Sequence, residues 1–202
     1  MKNIQDLKDL RLHDFLHLPL FEGHFPNGES DEERIKKFFS ETTHSQVWVT
    51  DDDSVGYCVF VYDTKGVNKD KLLVVTNNDS KSLFLWSIDG KMFTKLSKCD
   101  CALISDQKLH LVEFKANVVS ENLDSIGTHY DKASNQLSLT FEYIKEAYTN
   151  LKEDLFDVFS DVDAQIVFDK QIPQNSAYQK SVIAKFLKKN DITLSFGNEL
   201  KL

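Results

Sequence analysis

Between residues 45 and 116 the chain alternates short apolar segments with polar turns. Segments of this length, rich in Val, Leu, Phe and Tyr and bounded by turns such as "DDDS" and "TNNDSKS", predict β-strands. We read "DDDS" (51–54) as a solvated hairpin turn in preference to a Ca²⁺ loop, because the spaced acidic ligands of such a loop are missing. The predicted strands cover residues 45–50, 55–62, 71–76, 82–88, 100–105 and 108–116.

The apolar period changes from two residues to three or four between residues 131 and 150. That spacing places apolar side chains on one face of a helix, so it predicts a long amphipathic helix. The predicted apolar stripe consists of Ala133, Leu137, Phe141, Ile144, Tyr148 and Leu151.

Three further elements are predicted after this helix. Residues 164–168 ("AQIVF") and 192–196 ("ITLSF") are short apolar strands, and we take the second as the last strand of the fold. Residues 177–189 form a Lys-rich helix between them. Its predicted inward face consists of Val182, Ile183, Phe186 and Leu187.

The first 44 residues predict a helical segment. Apolar residues recur at near-helical spacing in residues 1–20, and Ser30 with Glu33 has the spacing of a helix capping box. We therefore predict one domain over residues 1–202, in which 1–44 are the N-terminal helical segment and 45–202 the sheet core with flanking helices. The predicted class is α+β, with a mixed central β-sheet flanked by helices.

The net charge and the lengths of the apolar runs argue against two classes of function, namely nucleic-acid binding through overall charge and membrane association. The net charge is −8, whereas a protein that binds nucleic acid through its overall field is basic. No apolar run approaches the roughly 20 residues that span a bilayer, so no membrane association is expected. The N-terminus lacks the uninterrupted apolar stretch of a signal peptide, which predicts a cytoplasmic protein.

Asp100, Glu113 and Lys115 are charged residues within the two apolar segments at 100–105 and 108–116. If the hairpin turn is centred on residues 106–107, position 105 pairs with 108, and Asp100 lies directly opposite Glu113. Directly opposed residues share one face of the sheet, and Lys115, two residues beyond Glu113, projects from that same face.

Two opposed carboxylates repel each other unless a positive charge lies between them. A hard divalent cation such as Mg²⁺ accepts this arrangement, because it binds one or two carboxylates and completes its shell with water. The ammonium group of Lys115 would then orient an attacking water or stabilise charge on a phosphate. The alternative is an exposed salt-bridge cluster of the same three residues on a half-solvated sheet.

A second Glu-x-Lys sequence, Glu199-Leu-Lys201, lies at the end of the chain. It lacks both an opposed acidic residue across a turn and room for a further strand. Only the copy formed by Glu113 and Lys115 has the complete arrangement.

Residues 82–117, "SLFLWSIDGKMFTKLSKCDCALISDQKLHLVEFKAN", resemble the PD-(D/E)xK nuclease superfamily. The resemblance lies in an Asp opening one strand, Glu-x-Lys in the next, and a long helix and strand thereafter. It implies a restriction-endonuclease-like core and a Mg²⁺ or Mn²⁺ ion held by Asp100, Glu113 and the main-chain carbonyl of Phe114. Lys115 would be catalytic.

The resemblance also implies residues outside the hairpin. A helix acid, Glu33 or Glu32, would complete the metal site, and Gln136 or Lys132 would contact substrate. The implied function is metal-dependent phosphodiester hydrolysis of nucleic acid, with DNA as the expected substrate and RNA as the open alternative, and cleavage of both strands would favour a homodimer. The alternative is an inactive nuclease-like fold that binds a partner protein, which the acidic net charge favours.

Overall fold

The computed structural model describes residues 38–78, 81–89, 97–115, 123–169 and 176–202. The described elements are strands β1 to β10, helices α1 to α3 and one 3₁₀ helix at Lys69–Lys71. The predicted class, α+β with a mixed sheet flanked by helices, is confirmed. Most of the predicted N-terminal helical segment, with Glu32 and Glu33, lies outside the described residues. Residues 39–42, which belong to the predicted helical segment, form a strand and not a helix.

The elements follow one another along the chain with short connections. Their bounds are β1 Phe39–Thr42, β2 Gln46–Asp52, β3 Tyr57–Val61, β4 Leu73–Thr76, β5 Leu83–Ser87, β6 Cys101–Ser105, β7 Lys108–Lys115, α1 Leu123–Asn150, α2 Leu155–Val158, β8 Asp161–Phe168, α3 Ala177–Asn190, β9 Thr193–Phe196 and β10 Glu199–Lys201.

The larger sheet has six strands in the order β1-β5-β6-β7-β8-β9. The neighbouring strands β1, β5, β6 and β7 pair antiparallel, whereas β8 pairs in parallel with both β7 and β9. A parallel neighbour requires a crossover connection, and here α1 and α2 connect β7 to β8 while α3 connects β8 to β9. The sheet is therefore mixed, as the sequence predicts.

Successive side chains of each strand point to opposite faces of this sheet, and each face contributes to a separate hydrophobic core. On one face, Phe84, Trp86 and Leu111 pack against the apolar stripe of α1 and against α3. The predicted stripe of α1 is confirmed, because all its members are buried or packed against this core. Helices α1 and α3 therefore pack on this face of the larger sheet.

A second sheet, with the order β10-β4-β2-β3, covers the other face, which the sequence did not predict. Val47 and Val49 of β2 pack there against Leu85, Leu103 and neighbouring residues of the larger sheet. Two stacked sheets bury near-continuous apolar strands, and this accounts for β5 and β6 being buried at every position.

Two predictions about the C-terminal part are wrong. Leu187 of α3, predicted to face inward, is 45% exposed, since α3 presents only Val182 and Phe186 fully to the core. Residues 192–196 are not the last strand, because residues 199–201 pair in parallel with β4 as β10. The pairing is supported by Gln165 of β8, whose Nε2 donates to the carbonyl oxygens of Gly197 at 2.8 Å and Glu199 at 3.3 Å.

Candidate functional site

The β6–β7 hairpin has the register predicted from its two-residue turn. Ser105 pairs with Lys108 and Cys101 pairs with Val112, and the ladder ends at this second pair. Asp106 adopts a left-handed φ of 49°, a conformation that Asp tolerates better than most residues and that closes the turn. The predicted register therefore holds up to Cys101 and Val112, and Asp100 lies near enough to Glu113 for their charges to interact, while their direct opposition stays a prediction.

Backbone hydrogen bonds hold Asp100 at the point where the chain enters β6. Its N–H donates to the Val112 carbonyl at 3.2 Å, and its own carbonyl accepts the amides of Ile88 at 3.1 Å and Asp89 at 3.0 Å. Its carboxylate Oδ2 accepts the amide of Phe114 at 2.6 Å. The side chain is only 8% exposed, so the carboxylate is directed onto the backbone of β7 and away from solvent.

Glu113 is completely buried, although it is a carboxylate. It lies on the face of β7 that carries Leu109 and Leu111 towards α1. Its Oε1 accepts a hydrogen bond from Lys115 Nζ, while its Oε2 has no hydrogen-bond partner among the described residues. A buried carboxylate oxygen without a partner is rare, and an ion at the site is one of its recognised explanations.

Lys115 and Gln136 form a bridge between β7 and α1. Gln136 Oε1 accepts from Lys115 Nζ at 3.3 Å, and Gln136 Nε2 donates to the Lys98 carbonyl at 2.8 Å. The amide of Gln136 therefore positions Lys115 beside Glu113. Lys132, one turn earlier on α1, is exposed. The roles of Gln136 and Lys132 in substrate binding stay predictions.

Burial changes the ionisation of both acidic residues. It raises the pKa of Asp100 to about 7, the Phe114 amide opposes that rise, and the charges of Asp51 and Asp89 add to it. Burial, followed by the charge of Asp100, raises the pKa of Glu113 well above its usual range, and Lys115 opposes this. Burial is thus the main cause of both raised pKa values, and the positive charge of Lys115 offsets only part of the rise.

The sequence analysis did not identify three residues near this site, which are Lys98, Asp89 and Asp51. Lys98 is a buried lysine whose Nζ lies 3.2 Å from Asp89 Oδ1, and its side chain is only 7% exposed. Asp51 comes from β2 of the second sheet, and its charge acts on that of Asp100. The local pattern showed only a run of three Asp at a turn, because contacts between sheets leave no periodicity in the sequence.

The donor set is compatible with a divalent cation. Two carboxylates and a main-chain carbonyl are hard oxygen ligands of the kind that Mg²⁺ and Mn²⁺ bind, with waters completing the shell. The unpartnered Oε2 of Glu113 is an available ligand atom. Across the described part of the chain, no three His, Cys, Asp or Glu side chains are grouped as a metal-binding set. The site therefore offers a two-carboxylate set.

Comparison with protein-family models, with curated proteins and with solved structures finds no match to this chain. None of the helices in the described ranges combines the length and apolar character needed to cross a membrane.

Proposed function

We propose that the protein is a metal-dependent nuclease that hydrolyses phosphodiester bonds, with DNA as the first expected substrate. One observation carries the proposal. Glu113, fully buried, keeps one carboxylate oxygen without a partner, beside a buried Asp100 and an ammonium group. Two crowded carboxylates of raised pKa cost stability, and such a cost is typical of a site kept for function.

The order of elements around the site supports the same proposal. Asp100 directly precedes β6, Glu113 and Lys115 lie on β7, and α1 leads to β8, which is parallel to β7. This is the order that the resemblance to PD-(D/E)xK nucleases implies for a restriction-endonuclease-like core. A cytoplasmic location and a homodimer that cuts both strands belong to the proposal as predictions.

The roles of the residues follow from their contacts. Asp100, Glu113 and the Phe114 carbonyl would hold Mg²⁺ or Mn²⁺, which lowers the pKa of a bound water and supplies a nucleophile at neutral pH. Lys115 lies at the same face and stabilises negative charge on the scissile phosphate. Gln136 restricts the ammonium of Lys115 to that face through its hydrogen bond.

An inactive nuclease-like fold that binds a partner protein is the second candidate. It is favoured by the ion pair between Lys115 and Glu113, which partly neutralises the site without a metal, and by the net charge of −8. An acidic protein binds nucleic acid weakly through its overall field, and that binding weakens further with salt.

Mn²⁺ titration and plasmid cleavage test the proposal at low salt. Glu113→Gln should abolish calorimetric Mn²⁺ binding at its site, while Glu199→Gln, in the other Glu-x-Lys sequence, should leave it unchanged. Lys115→Ala should keep Mn²⁺ affinity and lose cleavage by about 10²–10³ in rate, since one stabiliser of transition-state charge is removed. The matched Lys201→Ala should cleave like wild type.

Two results would count against the proposal. The first is equal Mn²⁺ binding by wild type and Glu113→Gln. The second is the same background cleavage by wild type and Lys115→Ala on several DNA and RNA substrates. Either would make the partner-binding fold the better account.

A further inference from the structure

His110 is a buried histidine on the face of β7 that packs against the second sheet. It is 2% exposed, and strand alternation places it beside Val112 and Phe114, which belong to the core between the two sheets. Its ring nitrogen Nδ1 contacts Oδ1 of Asp163, and Nε2 lies 3.0 Å from Oε1 of Gln165. Each nitrogen of the ring therefore faces an oxygen atom of a residue on β8.

The chain between β9 and β10 fixes the orientation of the Gln165 amide. A side-chain amide has two donor hydrogens on nitrogen and an oxygen that only accepts. Nε2 of Gln165 donates to the carbonyl oxygens of Gly197 at 2.8 Å and Glu199 at 3.3 Å. Rotating the amide by half a turn would place Oε1 against these two carbonyl oxygens. The atom that faces His110 is therefore an acceptor.

Two acceptors are satisfied only if both ring nitrogens of His110 carry a proton. A neutral imidazole has one N–H and one bare nitrogen, whereas the imidazolium cation has two N–H groups. Asp163 supplies the compensating negative charge, and its side chain is 37% exposed. The hydrogen-bond geometry therefore favours the cation.

Asp163 is the charged group that contacts the ring. In the neighbouring pair on the same face of β7 and β8, Lys108 and Asp161 form an ion pair at 3.6 Å. Strand β6 places Leu103 opposite His110, and β9 has no charged residue. Charged residues on the other surrounding elements are Lys69, Asp70 and Lys71 of the 3₁₀ helix packed against β8, Asp51 of β2, and Glu199 and Lys201 of β10. Among the described residues, none of these forms a hydrogen bond or ion pair with the ring.

We propose that His110 is held as an imidazolium and that its deprotonation releases β10 from Gln165, so that the attachment of this C-terminal strand depends on pH. A neutral ring keeps its Nδ1–H on Asp163, because a hydrogen bond to a carboxylate is stronger than one to an amide oxygen. Its bare Nε2 then faces Oε1 of Gln165, and the two acceptors repel each other. Rotation of the amide relieves this contact, but the two carbonyl oxygens beside β10 lose their donor.

The strand β10 has few other hydrogen bonds to hold it. It consists of three residues and pairs with β4 at the edge of the second sheet. The amide of Leu202, directly after it, donates to the Thr76 carbonyl at 3.0 Å. Protection of that amide from hydrogen exchange therefore reports whether β10 is attached.

NMR on the wild-type protein tests the proposal between about pH 6 and pH 9, the range around and above the ordinary titration of histidine. The ¹⁵N shifts of His110 should show two protonated nitrogens at the lower pH and one at the higher. The protection factor of the Leu202 amide, corrected for intrinsic exchange, should fall about tenfold with the same midpoint, as expected for the loss of one hydrogen bond of ordinary strength.

Two matched variants separate the ring contact from general charge. Asp163→Asn can donate its amide N–H to a bare Nδ1, which lets a neutral ring keep its Nε2–H on Gln165. Protection of Leu202 should then no longer depend on pH. Asp161→Asn removes the same charge two residues away, at a side chain that is 54% exposed, and should behave like wild type.

Three results would overturn the proposal. A His110 ring with a single protonated nitrogen at about pH 6 excludes the imidazolium. A ring that titrates while Leu202 keeps constant protection excludes the link to β10. Equal loss of pH dependence in Asp163→Asn and Asp161→Asn assigns the effect to overall charge and not to the contact with His110.

Discussion

Replacing Asp100 by Asn should stabilise the metal-free protein at alkaline pH. The side-chain carbonyl oxygen of Asn can accept a hydrogen bond from the Phe114 amide, so the variant can keep the bond that the Asp100 carboxylate accepts at 2.6 Å. What the substitution removes is a buried negative charge next to Glu113, which lowers the repulsion between them. Asp100 forms no ion pair with Lys115 that the substitution would break, because Lys115 is paired with Glu113.

The magnitude follows from the pKa of Asp100. A pKa difference of 1 corresponds to about 1.4 kcal/mol, so a rise from 3.8 to about 7 makes ionisation cost the folded state about 4 kcal/mol. Because the folded-state pKa is raised, the stability associated with the protonated carboxyl is complete below pH 3.8 and is lost as the pH rises through 7. Asn does not titrate, and the advantage of Asp100→Asn should therefore grow across that window towards about 4 kcal/mol at pH 8.

Urea unfolding in EDTA at several pH values measures this difference. Asp106→Asn is the matched control, because it removes a carboxylate from the turn of the same hairpin at a side chain that is 57% exposed. Its free energy of unfolding should change by no more than about 0.5 kcal/mol. The reasoning is refuted if Asp100→Asn is less stable than wild type at pH 8, or if its advantage does not depend on pH. Either result would favour a structural salt-bridge cluster.

Three further predictions concern residues around the core and the site. Gln165→Leu leaves the two carbonyl groups beside β10 without their donor, and should lower the free energy of unfolding in urea by about 1–3 kcal/mol. Gln136→Leu should retain Mn²⁺ affinity but reduce plasmid cleavage less than Lys115→Ala does, because the lysine remains and loses only its orientation; equal loss would contradict this. Leu137→Ala, at a completely buried position, should cost about 2–5 kcal/mol in thermal or urea unfolding, whereas Leu187→Ala, at an exposed one, should cost well under 1 kcal/mol.

The sequence by itself determined the features that depend on neighbours along the chain. Alternation of apolar residues and a two-residue turn set the register of the β6–β7 hairpin from its turn to the pair of Cys101 and Val112. Slipping the register by one residue would reverse every side chain of a buried strand, so the apolar pattern excludes it. The stripe of α1 was equally predictable, because a helix repeats over distances that the sequence displays.

Tertiary structure decided everything that depends on which elements meet. The packing of a second sheet on the larger one brings the charge of Asp51 close enough to act on Asp100, and the sequence does not show which sheet the strand of Asp51 joins. Lys98 is buried, and its ion pair with Asp89 joins two segments whose contact the local pattern does not show. Residues 199–201 form a strand because the edge of β4 is available to pair with them. Local periodicity reports which face of an element is apolar, whereas the partner of that face is set by long-range packing that leaves no regular trace in the chain.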